Sequence, residues 1–141
     1  MGMTGFLADT SAVLRILYNP DVLAQWNDIV TSGIVSMCAI TELELLYTVR
    51  SKADRERQEA LLRETFRWVV MPDRVFEQAA KVQADLTARG AHRSAGPVDL
   101  LTAATAEAHG LTLLHYDADF LQVSAVTGQR VRWVAEPGSV D

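Results

Sequence analysis

Two short apolar runs that each end in an acidic residue decide the fold: Gly5-Phe6-Leu7-Ala8-Asp9 early in the chain, and Leu113-Leu114-His115-Tyr116-Asp117 late in it. Short apolar runs of this kind are typical of strands buried in a parallel sheet. If both runs are parallel strands, their ends lie at one edge of the sheet, where open α/β sheets bind ligands. We therefore expect Asp9 and Asp117 to belong to the functional site.

The rest of the chain alternates between strand patterns and helix patterns. Further strands are predicted over 34–37, 68–71 and 131–134, and the late apolar run gives a strand over 111–115. Helices are predicted over 11–18, 21–32, 39–49, 53–66, 73–89 and 98–109, and a short helix that starts at Asp117 or Asp119 runs to about Val126. This alternation indicates βαβ crossovers. The predicted fold is α/β, a three-layer α/β/α sandwich with a mainly parallel central sheet.

Length and composition favour one globular domain that spans residues 1–141. The chain is 49% hydrophobic and 22% charged, which is ordinary for a protein with a buried core. It has no apolar stretch long enough to cross a membrane, and residues 1–4 do not begin a signal peptide pattern. We expect a cytoplasmic protein with no membrane partner. The single cysteine, Cys38, excludes an internal disulfide and is predicted to be a buried core residue.

The net charge of −5 argues against a protein that simply coats nucleic acid. It does not exclude a nuclease, because divalent cations bound to clustered carboxylates would offset much of the negative charge. Basic residues also cluster in two segments, which contain Arg50, Lys52, Arg55, Arg57, Arg63 and Arg67, and then Arg89, His92 and Arg93. The simplest interpretation of the first segment is a solvated helix face with glutamate partners.

Each acidic candidate except Glu42 has an ordinary structural explanation. Asp9 precedes a predicted helix and could cap it. Asp99 lies in a first helical turn, where the macrodipole favours a carboxylate. Asp117 or Asp119 could cap the helix that follows, although both cannot fill one cap. A single metal site would explain all of these positions together, because carboxylates about 5 Å apart repel by about 3 kcal/mol at an effective dielectric of about 20.

Glu42 is harder to explain as a surface residue. On a helix it shares a face with Leu45, Leu46 and Val49, so its carboxylate points toward apolar packing, whereas Glu44 points roughly the opposite way. A buried salt bridge to an arginine is the alternative to a functional role. The all-oxygen ligand set favours Mg²⁺ or Mn²⁺ over zinc.

In these segments the chain resembles the PIN-domain ribonucleases and, among them, the VapC toxins of bacterial type II toxin–antitoxin modules. The segments that carry the resemblance are Ala8 to Ala12, Ile40 to Leu43, Val98 to Ala104 and His115 to Phe120. The resemblance places the family's acidic quartet on Asp9, Glu42, Asp99 and Asp117. It makes Asp119 an additional carboxylate and Thr10 or Ser11 the accompanying hydroxyl.

The resemblance implies an endoribonuclease that hydrolyses RNA with Mg²⁺, for which Mn²⁺ can substitute. By it, Asp9, Asp99 and Asp117 would hold the ion. Glu42 would complete the shell or orient the attacking water, Asp119 would support the site, and Arg93 is a candidate contact to substrate phosphate. It also implies a homodimer and a cognate VapB-like antitoxin, and residues 45–66 could serve either interface.

Two other functions stay open at this point. One is another Mg²⁺-dependent phosphotransfer enzyme, although no second aspartate follows Asp9 by two residues and no lysine lies beyond Lys81. The other is a catalytically silent PIN-like module that binds RNA or a protein partner.

Overall fold

A computed structural model describes residues 5–141; residues 1–4, and with them the prediction about a signal peptide, lie outside this range. The described residues form five strands and seven helices. In chain order these elements are β1 (Phe6–Ala8), α1 (Thr10–Tyr18), α2 (Pro20–Thr31), β2 (Val35–Met37), α3 (Ala39–Leu46), α4 (Lys52–Thr65), β3 (Arg67–Trp68), α5 (Val75–Ala88), α6 (Pro97–Ala108), β4 (Thr112–His115), α7 (Asp119–Thr127) and β5 (Val131–Trp133).

The five strands form one parallel sheet with the order β3-β2-β1-β4-β5. The two apolar runs that predicted the fold are adjacent in it, because Phe6 pairs with Thr112 and Ala8 pairs with Leu114. Parallel neighbours end at the same edge of the sheet. The end of β1 and the end of β4 therefore lie side by side.

Helices cover both faces of this sheet. On one face the core contains Ile16 of α1, Trp26 of α2 and Leu62 of α4. On the other face it contains Leu86 of α5 and Phe120 of α7, together with side chains of α6. These two cores confirm the predicted three-layer sandwich.

Capping residues determine where several helices begin. The side-chain oxygen of Asn19 accepts hydrogen bonds from the backbone N–H groups of Asp21 and Val22, at 3.0 and 3.1 Å. Helix α2 therefore begins at Pro20, one residue before the predicted start, because proline fits the first position of a capped helix. Ser51 caps α4 in the same way through the N–H of Asp54.

Two predicted elements end three residues earlier in the structure. The predicted strand 68–71 is reduced to Arg67–Trp68: only the N–H of Val69 continues the pairing, to the carbonyl of Met37 at 3.1 Å, and Pro72 has no N–H to donate. The helix predicted over 39–49 ends at Leu46. Beyond it, the hydroxyl of Thr48 donates to the carbonyl of Leu45 at 3.2 Å, which competes with the helical pattern.

Two further predictions concern the burial of Cys38 and the surface of α4. Cys38 is fully buried, as predicted. In α4, Arg55 pairs with Glu59 and Arg57 pairs with Asp54 at the surface, which confirms that this basic segment is largely a solvated helix face. Within residues 5–141 no helix is both long and apolar enough to cross a membrane.

Candidate active site

The parallel pairing of β1 and β4 brings Asp9 and Asp117 to the same edge of the sheet. The N–H of Asp9 extends the pairing by donating to the carbonyl of Leu114 at 3.0 Å. Asp117 follows the last residue of β4, His115, by two positions. The backbone thus places the two strand ends side by side, as the apolar runs predict.

Asp9 is buried, with 5% of its surface exposed, and it caps α1. Its Oδ1 accepts a hydrogen bond from the N–H of Ala12 at 2.9 Å, and the hydroxyl of Ser11 donates to the same carboxylate at 2.7 Å. The capping explanation considered for Asp9 is therefore correct as far as it goes. A cap at a helix surface does not require burial, however, so the burial of this charge calls for a further reason.

Asp117 and Asp119 do not compete for one position. The Oδ1 of Asp117 accepts a hydrogen bond from the N–H of Asp119 at 2.9 Å, and Asp119 is the first residue of α7. The N–H of Asp117 donates to Nδ1 of His115 at 3.2 Å. Asp117 thus organises the turn, while the carboxylate of Asp119 takes no part in that cap.

Asp99 lies in the first turn of α6, the helix that packs with α5 and α7 on the second face of the sheet. Its Oδ2 accepts a hydrogen bond from the N–H of Gly96 at 3.3 Å. Burial raises the pKa of Asp99 to about 6, and the charges of Asp117, Glu44 and Asp119 raise it further, although the hydrogen bond from Gly96 acts in the opposite direction. Three carboxylates from different elements therefore act on the charge of Asp99.

The same electrostatics link the remaining members of the group. Burial also raises the pKa of Asp9 to about 6; the hydrogen bonds from Ser11 and Ala12 oppose this shift, and the charge of Asp99 adds to it. The pKa of Asp119 is raised by desolvation and by the neighbouring charge of Asp117. Four carboxylates thus lie close enough to Asp99 for charge interactions with it: Asp9, Glu44, Asp117 and Asp119.

Glu42, which the sequence analysis placed in the quartet, is not brought to this group. Its carboxylate lies 3.4 Å from the guanidinium of Arg63 on α4, and 13% of the glutamate side chain is exposed. Glu42 therefore forms the salt bridge to an arginine that is the alternative to a functional role. Residues two apart on a helix point about 200° from each other. The opposite face of α3 therefore carries Glu44 toward α1, where its Oε1 accepts a hydrogen bond from the hydroxyl of Thr10.

A feature of the sequence distinguishes Glu44 from Glu42, namely the face of α3 on which each residue lies. The apolar face of α3, which carries Glu42, packs into the core through Leu46. Glu44 is exposed on the other face. A site that receives a charged substrate must be open to water, so the polar face of α3 was the better guide.

The supporting residues predicted from the sequence, Thr10, Ser11 and Arg93, lie in three different environments. Ser11 bridges both strand ends, because its hydroxyl donates to Asp9 and accepts from the N–H of Tyr116 at 2.8 Å. Thr10 contacts Glu44 instead. Arg93 is exposed in the loop before α6, and it forms no ion pair with any other residue of the 5–141 range.

The donor set fits a hard divalent cation. All five groups offer carboxylate oxygen, and the raised pKa values of Asp9 and Asp99 show charges that a cation would stabilise. Across the described part of the chain, no three acidic, histidine or cysteine side chains already converge as metal ligands. The carboxylates would therefore have to turn toward an ion as it binds.

His115 is a feature of this edge that the sequence analysis treated only as a strand residue. It is fully buried, and its ring packs against Phe120 and Trp133 at centroid distances of 5.3 and 4.8 Å. Burial lowers its pKa to about 4. Because Nδ1 accepts from Asp117, the neutral ring carries its proton on Nε2, which has no hydrogen-bond partner among residues 5–141.

Comparison with known proteins connects this site to a family. The family model described as PIN domain matches residues 6–126. Ribonuclease VapC21 of Mycobacterium tuberculosis is 38% identical over 136 residues, which cover 96% of this chain and 98% of that protein. Ribonuclease VapC51 of the same organism is 36% identical over 96% of this chain and 97% of its own length.

A solved structure has the same fold. The toxin–antitoxin structure described as DNA-bound VapBC from Salmonella typhimurium contains a chain that matches this one with a TM-score of 0.75. The match covers 94% of this chain and 100% of that chain, at 21% identity. The sheet and helices described above thus follow the PIN-domain architecture. Within that class, the extent and identity of the two relatives show that the chain belongs to the VapC family.

Proposed function

We propose that this protein is a Mg²⁺-dependent endoribonuclease and the toxin of a type II, VapBC-like toxin–antitoxin module. The observation that supports the proposal most strongly is the group of five carboxylates at the carboxyl edge of the parallel sheet, on a chain that is 38% identical to a ribonuclease named VapC21. Asp9 and Asp99 are desolvated by burial and lie near other negative charges, and a bound cation would offset both effects.

In this proposal Asp9, Asp99 and Asp117 hold the ion, and Asp119 supports Asp117. Glu44 takes the role that the sequence analysis gave to Glu42. Bound Mg²⁺ would neutralise the clustered charge, and it would polarise the scissile phosphate for attack by water. Mn²⁺, which accepts the same oxygen ligands, would substitute.

Glu44 is the group best suited to receive a proton from the attacking water. Its Oε1 accepts a hydrogen bond from the hydroxyl of Thr10, which orients the carboxylate, and the residue is exposed to solvent. Asp9 is less suited, because both of its oxygens accept a hydrogen bond from Ser11. We therefore assign Glu44 to water orientation and Asp9 to the cation.

The partners in the proposal are RNA, a VapB-like antitoxin and a second copy of the chain. A groove between α1, α3 and α4, lined by Leu14, Leu17, Leu45 and Leu62, is suited to an apolar antitoxin segment. Exposed apolar side chains such as Tyr47 are available for a homodimer. We expect the protein to act in the cytoplasm as a single PIN-like domain.

The experiment that tests this proposal compares two glutamates on one helix. Purified, antitoxin-free protein is incubated with total cellular RNA and Mg²⁺, and the cleavage rate is measured for wild type, Glu44→Gln, Glu42→Gln and Asp99→Asn. We expect Glu44→Gln and Asp99→Asn to lose about 10²-fold or more in rate, because each removes a charged group from the site. EDTA should abolish cleavage by the wild type.

Glu42→Gln is the matched control, since it makes the same chemical change two residues away, at a glutamate that pairs with Arg63. Its rate should stay within about threefold of wild type, because the ion pair that it removes is half-exposed at Arg63 and lies outside the proposed site. If Glu42→Gln loses activity and Glu44→Gln does not, the assignment of Glu44 is wrong. If all proteins, including wild type, leave RNA intact, the silent binding module becomes the better description.

A further inference from the structure

The segment that follows β5 folds back over the end of β4. Residues 136–139, Glu-Pro-Gly-Ser, form a turn in which the N–H of Ser139 donates to the carbonyl of Glu136 at 3.0 Å. Gly138 has a φ of +78°, and a proline precedes it, as in a type II turn. The turn directs the segment 136–141 back toward α1 and β4.

Two side chains hold this 136–141 segment. The hydroxyl of Tyr116 donates to the carbonyl of Val140 at 2.9 Å and accepts from the N–H of Val140 at 3.1 Å. Nε of Arg15 donates to the carbonyl oxygen of Asp141 at 3.0 Å. Val140 also packs against the core on the α1 and α2 face of the sheet. The segment is thus held by hydrogen bonds and by apolar contact.

The same two residues contact the acidic site on their other side. The backbone N–H of Tyr116 donates to the hydroxyl of Ser11, which in turn donates to Asp9. Nη1 of Arg15 donates to the carbonyl of Ser11 at 3.2 Å. Tyr116 is also the residue directly before Asp117. A continuous series of contacts therefore runs from the 136–141 segment to two of the clustered carboxylates.

The ring of Tyr116 is packed against Arg15 and Trp133. The guanidinium carbon of Arg15 lies 4.8 Å from the centroid of the ring, and Trp133 packs edge-on against it at 5.6 Å. Like charges at the site repel each other, and in the absence of a cation they tend to move apart. Contacts that hold the backbone near Ser11 and Asp117 therefore oppose that movement.

We infer that Tyr116 is a positioning residue that couples the 136–141 segment to the cation-holding strand ends. Through its hydroxyl it holds the segment, and through its backbone it keeps Ser11 and Asp117 in place for the ion. This inference rests on the proposed function for the identity of the ion, but the mechanical coupling it describes can be measured without metal.

The test uses Tyr116→Phe, which keeps the ring and removes the hydroxyl. Tyr47→Phe is the matched control, because Tyr47, the residue that follows α3, is 88% exposed. Hydrogen exchange of the metal-free proteins is followed in peptides that cover 115–119 and 134–141. Mn²⁺ affinity is measured calorimetrically well below the unfolding temperature, and kcat and KM for RNA are determined separately.

For Tyr116→Phe we expect faster exchange in both peptides, including the amides of Asp117 and Asp119, and a Mn²⁺ affinity lowered by about 3- to 10-fold. Tyr47→Phe should match wild type in the exchange of both peptides and in Mn²⁺ affinity. Faster exchange in 134–141 alone, with unchanged exchange at 115–119, would overturn the inference, since the hydroxyl would then be only a tether. If the wild type binds no Mn²⁺, the proposed function fails, and the exchange at 115–119 still decides the coupling.

Discussion

Replacing Asp9 with asparagine is predicted to stabilise the metal-free protein at neutral pH, even though it destroys a proposed metal ligand. Asparagine caps a helix about as well as aspartate, and its Oδ1 can accept the same hydrogen bond from Ala12. The substitution therefore removes the charge and retains the cap. What it relieves is the cost of ionising a carboxylate that is buried beside Asp99.

The size of this effect follows from the pKa of Asp9, which burial raises from 3.8 to about 6. At about 1.4 kcal/mol per pKa unit, ionising Asp9 in the folded protein costs about 3 kcal/mol more than in the unfolded chain. A raised carboxyl pKa leaves stability intact below pH 4 and lowers it as the pH rises through 6. Because the asparagine side chain is not an exact replacement, we expect a gain of about 1–3 kcal/mol at pH 8 and none at pH 4.

The assay is urea unfolding in EDTA at several pH values between 4 and 8. A second series with excess Mg²⁺ should reverse the order, because an ion at about 100 times its Kd stabilises the wild type by about 3 kcal/mol and the variant by much less. Asp28→Asn provides a control, as Asp28 lies on α2 outside the acidic group. A variant that is no more stable than wild type at pH 8 in EDTA would refute the electrostatic description of Asp9.

Three further predictions concern other parts of the molecule. Trp26→Phe removes the indole N–H that donates to the carbonyl of Val134 at 2.7 Å, and should lower the free energy of unfolding by about 1–3 kcal/mol in urea unfolding experiments. Arg93→Gln should raise KM for RNA several-fold at low salt with kcat unchanged, and steady-state kinetics should show the difference shrinking as salt increases. Because burial lowers the pKa of His115 to about 4, its protonation should reduce stability as the pH falls from 6.5 toward 4, and His115→Gln should make that decline in urea midpoints shallower.

The sequence alone determined the architecture and the two strand ends that lie side by side in it. Short apolar strands that alternate with helices require a parallel sheet, and adjacent parallel strands place their ends together. Asp9 and Asp117 were therefore predictable as neighbours from the two apolar runs. Asp99 was a candidate through the resemblance to the PIN-domain ribonucleases, since its place in a first helical turn has an ordinary explanation. The positions of the strand ends follow from backbone periodicity, which local sequence encodes directly.

Only the tertiary structure decided which side chain of α3 lies near the other carboxylates. Glu42 and Glu44 lie on opposite faces of one helix, and the choice depends on what packs on each side: Arg63 of α4 meets Glu42, and Thr10 of α1 meets Glu44. The contact between the 136–141 segment and Tyr116 is of the same kind, because its partners are 24 residues apart. Such contacts depend on how distant elements are packed, and the spacing of residues along one helix or strand does not specify that packing.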